Sequence, residues 1–159
     1  QLWFLLFIPK TGVSTPRCFE RYDGMPDPLR ADSARLARAL QQGDFGGVAA
    51  NVYNALGKAA AALNGDTAEA LRAAAEFSPL AYAVTGSGSA VFALFESEEM
   101  CRWAKSRYKG KIPVRVVHTV DPKKRRTGAR NPFFLSEEEL EEAETGNLKT
   151  GAEDGREKS

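Results

Sequence analysis

Leu80-Ala81-Tyr82-Ala83-Val84-Thr85-Gly86-Ser87-Gly88-Ser89-Ala90-Val91-Phe92-Ala93-Leu94-Phe95 is the stretch whose reading decides the fold. Leu80, Tyr82 and Val84 alternate with Ala81 and Ala83, the two-residue period of a strand. Thr85 to Ser89 holds only small residues and turns the chain. Ala90–Phe95 is a second strand, so the whole stretch reads as a β-hairpin.

Working outward, Ser97 caps a helix running to about Tyr108. Ile112, Val114, Val116 and Val120 then alternate in a last strand. Upstream, Leu2–Ile8 is apolar, aromatic-rich and stopped by Pro9, the pattern of a buried strand. After a loop at Lys10–Val13, Ser14-Thr15-Pro16 opens a helix: a hydroxyl at the N-cap with proline at N1 is a start signal. Phe19 and Tyr22 follow at i, i+3 spacing, and Gly24, Pro26 and Pro28 end the helix. Asp32 to Gln42 forms the next, with Leu36 and Leu40 on one face and Gly43 as its stop. Asp44 caps a further helix, through Val48, Val52, Leu56 and Leu63, which Gly65 ends. Asp66-x-x-Glu69 resembles a capping box for a helix reaching about Phe77.

Strand, helices, strand, strand, helix, strand is the split βαβ order. The expected fold is α+β: a ferredoxin-like sheet with antiparallel strands, helices on one face and extra helices in the first crossover. It occupies residues 1–120. A charged tail over 121–159 follows. Lys123–Arg130 holds five basic residues in eight, and Glu137–Glu144 six glutamates in eight. Ser136-x-x-Glu139 could cap a short acidic helix. From Thr145 onward only Leu148 and Ala152 are apolar, the composition of a disordered segment.

The chain has 159 residues, 43% hydrophobic and 27% charged, with a net charge of +1. That fits one soluble domain of ~150 residues. The charge balance exerts no global pull on nucleic acid or anionic membrane. Two cysteines and one histidine exclude a disulfide scaffold, argue against a Cys/His zinc site, and fit a reduced intracellular setting. The longest apolar run, Leu2–Ile8, is far shorter than the ~20 residues a membrane-spanning helix needs. It also lacks the flanks of an export signal. Opening on Gln1 directly before an apolar strand, the chain is expected to be a piece of a longer protein.

Thr85-Gly86-Ser87-Gly88-Ser89 is the first candidate site. Glycines let successive N–H groups converge into a nest that binds phosphate oxygens, and serine hydroxyls add donors. A plain hairpin turn uses the same residues. Ser14 and Thr15 are the second, since a helix N-terminus offers free N–H groups to an anion; an ordinary N-cap reads the same. Asn51 and Asn54, poor helix formers in an alanine-rich run, could be functional or simply exposed. His118 reads as a satisfied strand-end residue without a partner for a dyad. Cys18 and Cys101 read as small buried apolar groups. Lys123–Arg130 could bind nucleic acid or an acidic partner, although the glutamates that follow cancel its field.

Several of these residues fall together in one known order. Pro9-x-x-x-Val13-Ser14-Thr15-Pro16, Gly43-Asp44-Phe45, Asn51 and Thr85–Phe95 resemble the GHMP kinase superfamily. Within it they resemble the C-terminal half of the 4-diphosphocytidyl-2-C-methyl-D-erythritol kinases, over roughly residues 2–120. The Gly/Ser loop and its strand match the superfamily's third motif, and Val-Ser-Thr-Pro points to the narrower family. The resemblance implies transfer of the ATP γ-phosphoryl, with Mg²⁺, to the 2-hydroxyl of 4-diphosphocytidyl-2-C-methyl-D-erythritol. This is a step of non-mevalonate isoprenoid synthesis, in a bacterial cytoplasm. Thr85, Gly86, Ser87, Gly88 and Ser89 would support the phosphate side where two domains meet, and Ser14 and Thr15 the substrate side. Asn51 would match the family's Asn-Asp-Leu-Glu element, here Asn51-Val52-Tyr53-Asn54.

The family's glycine-rich ATP loop, its catalytic lysine and its catalytic aspartate have no counterpart in this sequence. The expectation is therefore a domain without catalytic residues or metal ligands of its own, inactive alone, with ATP and Mg²⁺ held mainly by the N-terminal half. The expected partner is the small-molecule substrate, with neither membrane nor nucleic acid. Another GHMP small-molecule kinase, or a non-catalytic ferredoxin-like ligand-binding module, are the alternatives. RNA or partner binding through the basic tail is a third reading.

Overall fold

The computed structural model describes residues 1–26 and 32–120. Expectations for 121–159, the basic and acidic runs included, lie outside the described residues, as does Pro28.

Among the described residues four strands form one sheet: β1 (Trp3–Phe7), β2 (Ala81–Val84), β3 (Val91–Phe95) and β4 (Val114–His118). Their order is β2-β3-β1-β4, and every neighbouring pair is antiparallel. This is the α+β, ferredoxin-like topology the element order predicts. The hairpin closes as expected, with Val84 opposite Val91 and Ala81 opposite Leu94.

Register assigns the two faces. Leu5 pairs with Ala93 and Phe7 with Val91, so their side chains share one face. That face carries the main core, with Cys18, Ala59, Ala60, Ala70, Ala74, Cys101 and Ala104 from the helices. Alanines dominate on the helical side, which lets the helices sit close to the sheet. Phe4 and Leu94, also a register pair, point the other way. There they meet Leu36 and Ala39 of α2 (Ser33–Gln42) and Val48 of α3 (Phe45–Asn51) in a smaller cluster. The helical layer thus covers one face, and α2 and α3 reach the second face near β2 and β3. On α2 it is Ala39 that is buried, while Leu40, expected to share Leu36's inward face, is half exposed.

Several helices start at side-chain caps. Asp32 accepts from the Arg35 N–H at 3.0 Å, Asp44 from Gly47 at 2.9 Å, and Ser97 from Met100 at 3.2 Å, the last opening α6 (Glu98–Arg107). Gly43 ends α2 at φ +68°, a left-handed cap that glycine adopts without steric cost.

Two expectations fail here. The helix expected from Asp44 to Leu63 is two helices, α3 and α4 (Gly57–Leu63), with Val52 already extended. Asn54 lies in the break, and its Oδ1 accepts the Leu56 N–H at 2.9 Å, a local bond that competes with the helix ladder. The second concerns α5 (Gly65–Ala75). Its cap is Asn64, which accepts from the Thr67 N–H at 3.0 Å, not Asp66. Gly65 begins that helix and does not end the one before.

Candidate functional site

Helix α1 (Thr15–Asp23) starts beside the hairpin loop. Ser14 sits at its N-cap in an extended conformation and makes no side-chain cap bond, while Pro16 fills the first turn. Both Ser14 and Thr15 are exposed. Cys18 and Tyr22 face the core, and Phe19 is half exposed.

The loop is held from three sides. Internally, the Thr85 N–H donates to Ala90 O at 2.8 Å, and the Gly88 N–H to Thr85 O at 3.0 Å. Gly86 has φ +55° and Gly88 φ +98°, left-handed values that explain glycine at both positions. From α5, the buried Thr67 hydroxyl donates to Ser89 O at 3.4 Å. From the α3–α4 break, Asn54 Nδ2 donates to Val84 O at 2.7 Å and to Gly86 O at 2.8 Å. From α1, Thr15 Oγ1 lies 2.8 Å from Ser87 Oγ.

That last contact joins the two candidate segments, 72 positions apart in sequence. Thr15 and Ser87 meet directly, and a cavity of about 200 Å³ lined by Gly12, Val13, Ser14, Arg17 and Leu63 lies next to them along α1. On the other flank of the loop lies an open, largely apolar cavity of about 440 Å³, with Tyr53, Phe92 and Leu36 in its wall.

Asn51 does not join this site. Its amide donates to Gly47 O at 2.7 Å, inside α3. Asn54 is the asparagine that reaches the loop, and its half-buried position replaces the expectation of an exposed residue. Local sequence could flag it only as a poor helix former in an alanine-rich run; its partners lie thirty positions on. His118 ends β4 as expected, its Nδ1 2.7 Å from Gln1 Nε2 and its ring 4.7 Å from that of Trp3. Cys18 and Cys101 are buried free thiols. Burial pushes the Cys18 thiol up, and it pushes Cys101 up to about 11.

The side chains that bond the loop are Thr15, Asn54 and Thr67, hydroxyls and an amide that do not titrate. Such a set can bind and orient an anion but cannot move a proton from carbon or oxygen. A phosphate fits it: the contact between the Thr15 and Ser87 hydroxyls uses one of their two protons and leaves the other to donate, and no backbone carbonyl among the described residues takes the Ser87 N–H. A divalent cation does not, since among the described residues no three His, Cys, Asp or Glu side chains gather.

Residues 36–100 match the family model described as GHMP kinases C terminal. A 4-diphosphocytidyl-2-C-methyl-D-erythritol kinase from Pelotomaculum thermopropionicum is 31% identical over 108 residues, 68% of this chain and 38% of that protein. The kinase of the same name from Moorella thermoacetica is 32% identical over 120 residues, 73% of this chain and 42% of that protein. The chain thus spans about two fifths of the length of these curated relatives. Two solved structures share the fold. Homoserine kinase from Cytophaga hutchinsonii aligns with TM-score 0.54 at 19% identity, over 74% of this chain and 41% of that one. A 4-(cytidine 5'-diphospho)-2C-methyl-D-erythritol kinase aligns with TM-score 0.53 at 21% identity, over 72% and 42%.

Proposed function

We propose, from the premise that this chain carries a GHMP kinase C-terminal domain, that it forms one wall of the active site of a 4-diphosphocytidyl-2-C-methyl-D-erythritol kinase. The domain is residues 1–120, and 121–159 is a charged tail outside it. The reaction moves the ATP γ-phosphoryl to the substrate's 2-hydroxyl, in the cytoplasm of a bacterium. Thr85, Gly86, Ser87, Gly88 and Ser89 line the phosphate side. Ser14 and Thr15 line the substrate side.

The contact of Thr15 Oγ1 with Ser87 Oγ carries this reading. It brings an exposed helix start and a glycine-bearing loop to one point, which a plain hairpin turn does not need. Phosphoryl transfer depends on positioning and on neutralising charge. This chain's part is positioning: hydroxyl and N–H donors fix phosphate oxygens while the loop keeps its shape. When bound, ATP with Mg²⁺ supplies the transferred group, and residues outside this chain hold the metal and the reacting hydroxyl. The 159-residue chain alone therefore binds but does not turn over.

Isothermal titration of the purified chain tests this. Weak binding of 4-diphosphocytidyl-2-C-methyl-D-erythritol or ATP without phosphoryl transfer is the expected result. Tighter binding of homoserine would move the assignment to another GHMP kinase. Turnover by the chain alone would overturn the division of labour.

A further inference from the structure

Asn54 makes three hydrogen bonds with two ends of one amide. Oδ1 accepts from the Leu56 N–H at 2.9 Å, at the start of α4. Nδ2 donates to Val84 O and Gly86 O, at 2.7 and 2.8 Å. An amide NH₂ has two donors, so both are used on the loop.

The peptide joining Gly86 to Ser87 is trans. In a trans peptide the C=O and the N–H point in opposite directions. With Gly86 O turned toward Asn54, the Ser87 N–H is turned away from it. No acceptor among the described residues takes that N–H. The Ser87 hydroxyl meets Thr15. The Val84–Thr85 peptide obeys the same geometry: Val84 O is held by Asn54, and the Thr85 N–H reaches Ala90 O across the hairpin.

We infer that Asn54 is a positioning residue of the phosphate side: by gripping Val84 O and Gly86 O it aims the Ser87 N–H outward as an anion donor. The inference rests on the phosphate-side reading above. It also explains why the alanine-rich run breaks where it does. A continuous helix would spend the Leu56 N–H on its own ladder and would carry residue 54 away from the hairpin.

One substitution separates this role from helix capping. Asn54→Asp keeps an oxygen for the Leu56 N–H but presents an oxygen, not an NH₂, to two carbonyls. Asn54→Ala loses both. The experiment is amide NMR on the 159-residue chain, without ligand and then titrated with inorganic pyrophosphate. In the wild type, the Ser87 amide is expected to shift most on titration. In Asn54→Asp, the Leu56 amide should stay protected from exchange. The Ser87 resonance should already move without ligand, and pyrophosphate affinity should fall about tenfold, the weight of one hydrogen bond.

An unmoved Ser87 amide in ligand-free Asn54→Asp would overturn the positioning role, whatever the titration gives. A moved Ser87 amide with no pyrophosphate response in the wild type would keep the positioning role and overturn the phosphate-side reading. If Asn54→Asp unfolds, Asn54→Gln serves: it keeps both functional groups but displaces them by one methylene, and Ser87 must shift there too.

Discussion

Gly88 and Val13 approach so closely that a Cβ on Gly88 would lie 3.1 Å from Val13 Cγ2. Ala60 closes the same space, with its Cβ 3.3 Å from that point. Val13 immediately precedes the Ser14 cap of α1, and Ala60 belongs to α4. The tip of the hairpin is thus wedged between the segment leading into α1 and the helix behind it. Its shape is set by packing as well as by hydrogen bonds.

The two loop glycines should therefore respond differently. Gly88→Val meets backbone strain at φ +98° and a filled space. Overpacking and left-handed strain together should cost about 3 kcal/mol. Gly86 also has a positive φ, +55°, but nothing lies within 4 Å of its would-be Cβ. Gly86→Ala should cost about 1 kcal/mol from conformation alone. Urea unfolding of the two variants measures the difference, and equal losses would refute the packing argument.

Thr15 and Ser87 should be energetically coupled. Thr15→Val removes the hydroxyl with little change in shape, and Ser87→Ala removes its partner. Each single change should cost under about 1 kcal/mol, since both groups are outside the core. A double-mutant cycle should return a coupling of about 0.5–1 kcal/mol. A coupling of zero would mean the contact at 2.8 Å does not persist in solution.

The buried thiols supply a pH dependence. Cys101 is raised to about 11 first by burial; Arg102 opposes the shift and Glu98 adds to it. A folded value above the unfolded one favours the protonated thiol in the native state. That contribution is complete below the ordinary thiol range and is lost as pH climbs toward 11. Burial raises Cys18 and Tyr108 as well, so all three slope the same way. Stability should fall from pH 8.5 to pH 10.5, and Cys101→Val should flatten part of that fall. At pH 8, native Cys101, buried and with its thiol pushed up, should react with a disulfide reagent more slowly than the same residue in the unfolded chain.

Much of the fold was legible because its signals are local. The hairpin announces itself by alternation across Leu80–Phe95, and β1 by an apolar run ended at Pro9. Those strands, with one long helical crossover and one short one, leave few topologies. The Gly/Ser loop and the Ser14-Thr15 segment were legible as candidates for the same reason. Their meeting was not, because nothing within either segment encodes the other. Asn54 is the clearest case. Alanine-rich sequence favours one helix from Asp44 to Leu63, and carbonyls thirty positions away override that preference.

The start of α5 gives a final prediction, since two side chains compete for it in sequence. Asp66-x-x-Glu69 has the spacing of a capping box, yet Asn64 makes the bond to the Thr67 N–H. Asn64 also reaches Thr11 Oγ1 at 3.0 Å and Gly12 O at 3.1 Å through its NH₂ group. It therefore caps α5 and ties down the loop that leads to Ser14. Asp66 sits in the first turn of the helix, where its charge suits the dipole, and accepts from Thr11 Oγ1 at 2.6 Å. Asn64→Ala should cost about 1–2 kcal/mol, a lost cap plus a lost tether. Asp66→Ala should cost about 0.5 kcal/mol, a surface dipole contact and one exposed hydrogen bond. Chemical denaturation of the two single variants decides between them. A larger loss for Asp66→Ala would return the helix start to the capping box that the sequence suggests.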